Sequence, residues 1–254
     1  MKTALITGAT SGIGLSTTQL FLKRGYRVVM VDLDDVLGQM IKKELDETGY
    51  EGKVFFKQGD VSSSKSMEDL YNYTKTFVGQ IDVIINNAGI FCPGELHEVS
   101  EEMWDRVMSV DVKGIYLTTK YFVPDMIQRR AGVILNTASI SGLQGDYNMA
   151  AYNAAKGAVV NLARAMALDY GKYGIRVNNV CPGPCMTPMF ERNPDELVRE
   201  FEQASPVGRI CTPEEVAQAL YFLAGDEAQA CTGINLPVTT GFGLHTGQPI
   251  QDKG

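Results

Sequence analysis

Tyr152 and Lys156 are the residues of this sequence best suited to acid–base chemistry. They stand four positions apart in Tyr-Asn-Ala-Ala-Lys, so a helix would place both on one face. A phenol with a pKa of about 10 is a poor base at neutral pH, but a neighbouring ammonium favours its ionised form. Such a tyrosine can take a proton from an alcohol while hydride leaves the carbon, or return a proton to a ketone.

The spacing alone is not specific for a reaction site. It recurs in two other pairs, Tyr71 with Lys75 and Tyr116 with Lys120. Tyr152 differs from both because Ser139 lies thirteen residues before it, at the end of a predicted strand, where a hydroxyl could hold the reacting oxygen. We therefore interpret the other two as helix-surface pairs, and Ser139, Tyr152 and Lys156 as one catalytic site.

A glycine-rich turn near the start of the sequence predicts a phosphate-binding site. It follows the apolar run 4–6 and precedes a helical pattern, and its residues include Gly8, Ser11, Gly12, Ile13 and Gly14. Small residues let the backbone approach a pyrophosphate, and the N–H groups and dipole at the start of the helix favour negative charge. The turn therefore predicts dinucleotide binding, although such turns also serve packing alone.

Asp32 follows the next apolar run, 28–31, and predicts which dinucleotide is bound. A carboxylate at the tip of the second strand meets the ribose 2′-hydroxyl of an adenosine. It would repel the additional phosphate of NADP, and neither Ser11 nor Leu33 supplies the cation which that phosphate needs. We therefore predict NAD as the cofactor. The alternative is that Asp32 only caps the next helix.

Length and charge limit the class of protein. A chain of 254 residues without a Pro/Gly/Ser-rich linker fits one domain, 1–254. A net charge of −7 and the lack of a Lys/Arg cluster argue against nucleic-acid or anionic-membrane partners and favour a small-molecule substrate. A single Lys2 precedes the first short apolar run, so we expect no signal peptide, no membrane span and a cytoplasmic location.

Cysteine and histidine spacing predicts no metal site. The cysteines are Cys92, Cys181, Cys185, Cys211 and Cys231. They show no CxxC spacing, so we expect reduced thiols. The two histidines, His97 and His245, lie in no cluster with the spacing of metal ligands, and metal catalysis is not expected.

Apolar runs rich in β-branched residues alternate with helical stretches along the whole chain. These runs are 4–6, 28–31, 54–56, 83–85, 133–135, 177–180 and 234–238. Continuous apolar strands separated by helices predict a parallel sheet covered on both faces. We therefore predict an α/β fold, a single-domain Rossmann-type doubly wound sheet of about seven parallel strands, with ligands at the carboxyl ends of the strands.

Two stretches break the regular alternation. Residues 101–130 are predicted to form one long helix, bent near Asp111 and Gly114 and kinked at Pro124. Residues 184–212 form an insertion with several apolar side chains, which predicts a lid that closes over a substrate and excludes water. The alternative for the insertion is a short surface helix that packs its own apolar stripe.

Together these motifs resemble the single-domain short-chain dehydrogenase/reductase family over nearly the whole chain. The matching motifs are Thr7-Gly8 to Gly14, Asp60-Val61, Asn86-Asn87-Ala88-Gly89, Ser139 with Tyr152 and Lys156, and Pro182-Gly183 with Thr187. The resemblance implies hydride transfer between a nicotinamide cofactor and an alcohol or ketone. It also implies a homotetramer as the expected assembly.

The resemblance further implies cofactor contacts. They are Asp60 and Val61 at the adenine, Asn87, Ala88 and Gly89 in the groove past the fourth strand, and Pro182, Gly183 and Thr187 at the nicotinamide. Thr187 would hydrogen-bond the carboxamide of that ring. Lys156 would bind the nicotinamide ribose as well as tune Tyr152, and both residues would contact the cofactor.

The chain departs from the family pattern at Asp111, where relatives usually place an asparagine that helps organise a water chain to the active lysine. If the role belongs to the backbone carbonyl, aspartate can replace asparagine. If it belongs to the side chain, a carboxylate near Lys156 would hold the ammonium proton and weaken its effect on Tyr152. Our hypothesis is that Asp111 fills the same place and that activity survives.

The carboxyl end also departs from the pattern. Val238-Thr239-Thr240-Gly241 stands where relatives often carry an acidic residue and paired glycines. In the family this region joins subunit contacts or borders the substrate pocket, and we expect His245 and the tail to do one or the other.

The sequence favours an NAD(H)-dependent oxidoreductase that interconverts a secondary alcohol and its ketone. The alternatives are a 3-oxoacyl-carrier reductase and an NAD-binding sensor with weakened catalysis; a methyltransferase would have no use for the serine, tyrosine and lysine. Predicted substrate contacts are Ser139, Gln144, Tyr147, Met149, Tyr152 and Met189. The mostly apolar surroundings suit a steroid, a cyclic or aromatic alcohol or an acyl chain, while Gln144, Asp146 and Asn148 leave a polyol open.

Overall fold

A computed structural model describes residues 1–244, and His245 with the tail lies outside the described residues. The strands are β1 (Thr3–Thr7), β2 (Arg27–Asp32), β3 (Val54–Gln58), β4 (Val83–Asn86), β5 (Gly132–Thr137), β6 (Ile175–Pro182) and β7 (Asn235–Val238). The α-helices are α1 (Gly12–Lys23), α2 (Asp35–Leu45), α3 (Ser64–Tyr73), α4 (Glu101–Val107), α5 (Gly114–Arg129), α6 (Ala150–Gly171), α7 (Asp195–Ala204) and α8 (Pro213–Ala224).

The strands form one seven-stranded parallel sheet in the order β3-β2-β1-β4-β5-β6-β7. Successive residues of each strand point to opposite faces, so Leu5 belongs to one core cluster and Ala4 and Ile6 to the other. Both faces are covered by helices, which confirms the predicted doubly wound fold. Because β1 pairs with both β2 and β4, the chain reverses its winding there and opens a crevice at the carboxyl ends of these strands.

The predicted long helix, 101–130, is observed as an almost continuous helical stretch whose α-helical hydrogen bonding is interrupted where Asp111 lies. The α-helices α4 and α5 are joined by a π-helical section, Met108–Lys113, which carries Asp111. Pro124 lies within α5. The wider π turn changes the direction of side chains relative to a continuous α-helix, and it leaves Asp111 buried, only 2% exposed.

A ladder of asparagine side chains runs from the central strand β4 to the edge strand β7. Asn86, Asn136, Asn179 and Asn235 are neighbours in register on β4, β5, β6 and β7. Each side-chain amide donates to the next carbonyl oxygen, over 2.9, 2.9 and 2.7 Å. Buried amides need such partners because an unpaired polar group in the core is costly. The ladder therefore fixes the relative register of the four strands.

We predict that Asn136→Ala lowers the free energy of unfolding by about 2–4 kcal/mol, because it removes two hydrogen bonds and leaves Nδ2 of Asn86 and Oδ1 of Asn179 without partners in the core. Asn235→Ala is the matched control, since Asn235 is only partly buried and ends the ladder, and it should cost about 1 kcal/mol. Urea unfolding followed by circular dichroism measures both. Equal losses in the two variants would contradict a cooperative buried ladder.

Candidate active site

Ser139, Tyr152 and Lys156 come from two elements that pack against each other. Ser139 follows β5, and Tyr152 and Lys156 lie in the first turns of α6. The turn after Ser139 approaches α6 so closely that a Cβ on Gly142 would lie 2.5 Å from the Lys156 carbonyl oxygen. Only glycine fits there. The structure thus brings the serine-bearing turn and the tyrosine–lysine helix together at the end of the sheet.

Local hydrogen bonds orient the serine and the lysine. The Ser141 amide donates to Ser139 Oγ over 3.1 Å. Lys156 Nζ donates to the Thr137 carbonyl oxygen over 3.0 Å and lies 5.5 Å from the centre of the Tyr152 ring. The ammonium is therefore held over the ring of Tyr152.

Asp111 forms an ion pair with Lys156. Its Oδ2 lies 3.1 Å from Lys156 Nζ, with both side chains buried, and its Oδ1 accepts a hydrogen bond from the Ile90 amide over 2.9 Å. Burial lowers the pKa of Lys156, but the charge of Asp111, with a smaller contribution from Tyr152, outweighs burial and raises that pKa overall. The lysine is therefore a cation whose charge is shared between a carboxylate and the phenol.

The glycine turn has the geometry of an anion cradle. Gly8 and Gly12 have positive φ angles of 62° and 48°, which favour glycine. Within residues 1–244, Ser11, the N-cap of α1, makes no side-chain hydrogen bond to the helix, so the first N–H groups remain open to a ligand. Gly14 differs: a Cβ there would lie 1.9 Å from the Gly8 carbonyl oxygen, so its role is close packing of the helix on the turn.

Asp32 faces the glycine turn. Its Oδ2 accepts hydrogen bonds from the Thr10 hydroxyl over 2.7 Å and the Thr10 amide over 3.1 Å, and its Oδ1 accepts from the Leu33 amide. The alternative role as a helix cap is wrong, because Asp34 caps α2 through the Leu37 amide. Leu33 itself is exposed. Sequence reasoning missed Thr10, although its place in the turn, opposite an acid, was a usable signal.

The predicted groove residues lie at the carboxyl ends of β3 and β4. The side chain of Asn87 joins three strand ends: its amide donates to the Thr7 and Gly8 carbonyls, and its carbonyl accepts from the Thr137 hydroxyl. The Ala88 amide, beside Gly89, donates to Thr7 Oγ1. Asn87 therefore links the glycine turn to Thr137 at the end of β5, and the carbonyl oxygen of Thr137 accepts the hydrogen bond from Lys156.

Asp60 and Val61 lie just beyond β3, and each already has a contact within the protein. Asp60 Oδ1 accepts hydrogen bonds from the Ser62 amide over 2.8 Å and the Ser62 hydroxyl over 2.7 Å. Val61 is 7% exposed and packs against Gly114, where a Cβ would lie 3.0 Å from Val61 Cγ2. The Val61 side chain therefore belongs to the core, and what it offers the groove is its backbone.

The chain after β6 returns to the glycine turn. Pro182 ends β6, and the Gly183 amide donates to the Val238 carbonyl over 3.0 Å. Thr187 then reaches the turn, since a Cβ on Gly12 would lie 3.1 Å from Thr187 Cγ2. This contact brings Thr187, which follows β6, to Gly12 in the glycine turn after β1.

Of the predicted substrate contacts, Gln144 is fixed by the carboxyl-terminal segment, through a 2.7 Å hydrogen bond from its side-chain amide to the Gly243 carbonyl. Met149 is partly buried and Met189 is 53% exposed. Tyr147 is 96% exposed, and its contact with a substrate stays a prediction. Phe91 packs edge-on against Tyr152, with ring centres 5.6 Å apart.

Of the other two tyrosine–lysine pairs, Tyr116 with Lys120 is exposed as predicted, whereas Tyr71 of the second pair is partly buried against the core. The Tyr71 hydroxyl and the Lys75 ammonium both contact the Asp125 carboxylate, at 3.2 and 3.0 Å. Tyr116 is 54% exposed.

Among residues 1–244, no helix combines the length and the hydropathy that a membrane-spanning helix requires.

Comparisons with known proteins agree with the motifs. A family model described as enoyl-(acyl carrier protein) reductase matches residues 8–243. The meso-2,3-butanediol dehydrogenase of Serratia marcescens is 39% identical over 248 residues, which cover 98% of this chain and 97% of that one.

Among solved structures of similar proteins, one is complexed with NADH and another with NADPH. A 3-ketoacyl-(acyl-carrier-protein) reductase from Brucella melitensis, complexed with NADH, superposes with a TM-score of 0.87 at 32% identity and covers 94% of this chain and 97% of that one. An actinorhodin polyketide ketoreductase with NADPH gives 0.90 at 34% identity, with 96% and 98% covered. Together with the seven-stranded sheet, these matches show that the chain belongs to the single-domain short-chain dehydrogenase/reductase family of oxidoreductases.

Proposed function

We propose that this protein is an NAD(H)-dependent oxidoreductase that interconverts a secondary alcohol and its ketone through Ser139, Tyr152 and Lys156. The observation that carries the proposal is the Lys156 ammonium, 5.5 Å from the centre of the Tyr152 ring and oriented by the Thr137 carbonyl. A buried cation in that position would stabilise the negative charge that develops on the phenol during proton transfer. The butanediol dehydrogenase among its relatives acts, by its name, on a substrate of this class.

In the proposed reaction each residue has one task. Ser139 donates a hydrogen bond to the substrate oxygen and holds it beside the phenol. Tyr152 removes the hydroxyl proton during oxidation and returns a proton during reduction. Lys156 stabilises the ionised phenol and also binds the nicotinamide ribose. The bound dinucleotide supplies the hydride chemistry, which no side chain of the protein provides.

Residues around the crevice fit a dinucleotide. The open N–H groups at the start of α1 suit its pyrophosphate, and Gly8, Ser11, Gly12 and Ile13 would line that contact. Asp60 and Val61 would border the adenine. Asn87, Ala88 and Gly89 would form the groove floor, and Pro182, Gly183 and Thr187 would border the nicotinamide.

Asp32 supports NAD as the preferred form. Its carboxylate is held toward the glycine turn by Thr10 and retains lone pairs for a ribose hydroxyl. We predict that Asp32→Ala raises the KM for NAD about 10- to 100-fold, the effect of losing a charged hydrogen bond, and reduces the preference for NAD over NADP. Asp34→Ala is the control, because it removes the α2 cap and leaves the ribose contact intact. Initial rates with NAD and with NADP measure the preference. The same ratio of the two rates in Asp32→Ala and in wild type would contradict a role of Asp32 in NAD preference.

The 184–212 segment is proposed as a substrate lid of the single domain. It starts beside the nicotinamide end of the groove, where Thr187 meets Gly12, and Phe190 stacks edge-on with Phe201 of α7 at 5.3 Å. Phe201 in turn contacts Phe242 at 5.8 Å, so the segment is packed against the carboxyl-terminal turn.

We also propose that the protein is a homotetramer and that it is located in the cytoplasm. Sedimentation analysis of the purified protein tests the tetramer.

A rate measurement over a substrate panel tests the proposed function. Vicinal diols, cyclic and aromatic secondary alcohols, steroids and 3-oxoacyl thioesters would be assayed with NAD(H) and NADP(H), with binding of each cofactor measured separately. The proposal expects turnover of secondary alcohols with NAD. Preferred reduction of 3-oxoacyl thioesters with NADPH would instead indicate an acyl-carrier reductase. Cofactor binding without turnover of any panel member would indicate a sensor.

A further inference from the structure

Cys185 and Cys211 face each other across an isolated pair of extended residues. Their backbones form a parallel β-bridge, with the Cys211 amide donating to the Pro184 carbonyl over 3.1 Å and the Met186 amide donating to the Cys211 carbonyl over 3.0 Å. Both residues are buried, at 6% and 1% exposure. Side chains opposite each other in such a bridge project to the same side, so the two thiols are neighbours.

The spacing of this bridge suits a disulfide. Paired strands run about 4.8 Å apart, and disulfide-linked Cα atoms lie about 4.4–6.8 Å apart. The Cys211 thiol donates a hydrogen bond to the Pro184 carbonyl oxygen over 3.1 Å. The proximity of the two thiols lowers the pKa of Cys211 and raises that of Cys185, while burial opposes ionisation of both. Both cysteines are free thiols on paired residues, so a disulfide needs no rearrangement of the backbone bridge.

The bridge closes the base of the 184–212 segment. Cys185 lies two residues before Thr187, which contacts the glycine turn. Cys211 directly precedes Thr212, the N-cap of α8, whose capping box with Glu215 is reinforced by the ion pair between Glu215 and Arg209. A covalent link at this point would join the two ends of the segment across a loop of 27 residues, counted from Cys185 to Cys211 inclusive.

We propose that Cys185 and Cys211 form a reversible disulfide that fixes the base of the 184–212 segment. The oxidant is hydrogen peroxide, which is small enough to reach buried thiols. The Cys211 thiolate attacks one peroxide oxygen, forms a sulfenic acid and releases hydroxide. The Cys185 thiolate then attacks the sulfenic sulfur, forms the Cys185–Cys211 bond and releases a second hydroxide. The protein loses two electrons and two protons, and hydrogen peroxide is reduced to two water molecules.

The experiment treats the full-length protein with hydrogen peroxide and maps its thiols by mass spectrometry. We expect oxidation to lower the mass by about 2 Da, with Cys185 linked to Cys211 and the other three thiols free. We also expect a rise in Tm of about 5–10 °C, from closing a loop of this length in a protein of this size, and slower amide exchange in α7. Reduction with dithiothreitol should reverse all three changes.

Three variants make the result specific. Cys185→Ser and Cys211→Ser should each abolish the shift in Tm, whereas Cys231→Ser, which keeps both bridge thiols, should respond like the wild type. Five free thiols in the oxidised wild-type protein, or a disulfide to another cysteine, would overturn the proposal. A Cys185–Cys211 link without any rise in Tm or slowing of exchange would overturn the claim that it fixes the segment. None of these readouts requires turnover, so failure here is distinct from failure of the proposed reaction.

Discussion

Replacing Tyr152 with phenylalanine is expected to lower kcat by about 10²- to 10⁴-fold, because the phenol proton that moves in the reaction is lost. The phenylalanine ring keeps the edge-on contact with Phe91 and the neighbourhood of Lys156. Folding and the affinity for NAD should therefore stay close to wild type. The effect should appear in kcat and kcat/KM together, the pattern of an interaction made only in the transition state.

Initial rates with the best alcohol of the panel measure the loss, and NAD titration by fluorescence measures the affinity. Tyr116→Phe is the matched control, since Tyr116 precedes Lys120 at the same spacing but lies exposed on α5. It should leave turnover unchanged. Full activity of Tyr152→Phe would refute the proposed chemistry, including the role given to Lys156.

Removing the carboxylate in Asp111→Ala is expected to lower the free energy of unfolding by about 3–5 kcal/mol, because it leaves the buried Lys156 charge unpaired. In the wild type the raised pKa of Lys156 means that the ion pair contributes fully below the unfolded-state pKa and is lost as pH rises through the folded-state pKa. In the variant burial dominates and lowers the pKa of Lys156. The buried positive charge then destabilises the variant at low pH, and this destabilisation disappears as Lys156 loses its proton with rising pH.

The stability difference between wild type and Asp111→Ala should therefore be large at neutral pH and should shrink in alkaline buffer. Urea unfolding over a pH series measures it. Asp125→Asn is the control for an ion pair of the surface type, since Asp125 contacts Lys75 on the helix surface, and it should cost at most about 1 kcal/mol at any pH. A loss for Asp111→Ala as small as this would contradict the buried ion pair.

Asp111→Asn separates charge from shape at the same position. An asparagine oxygen can still accept from the Ile90 amide, so we expect turnover to change by less than about tenfold. Removing the negative charge should also lower the pKa of Lys156, because Asp111 is the main charge that raises it. A rise in turnover by orders of magnitude would show that aspartate impairs this protein and would favour the sensor alternative.

The amino-acid sequence determined the sheet and the place of the site on it. Seven β-branched apolar runs between helical stretches require strands buried on both faces, and the right-handed crossover then places their carboxyl ends along one edge. Gly8, Asp32, Asn87 and Ser139 each follow a strand, so their positions on that edge followed from local patterns. Tyr152 and Lys156 needed only the helical repeat, which is also a local property.

Contacts between residues far apart in sequence were decided only by the tertiary structure. Asp111 meets Lys156 because a π-helical section turns the carboxylate toward α6, and helical periodicity alone does not reveal that extra residue in the turn. The asparagine ladder depends on strand register, and the Cys185–Cys211 bridge depends on where a long segment returns to the sheet. Local patterns specify each element by itself, whereas these contacts depend on the order and register in which the elements pack.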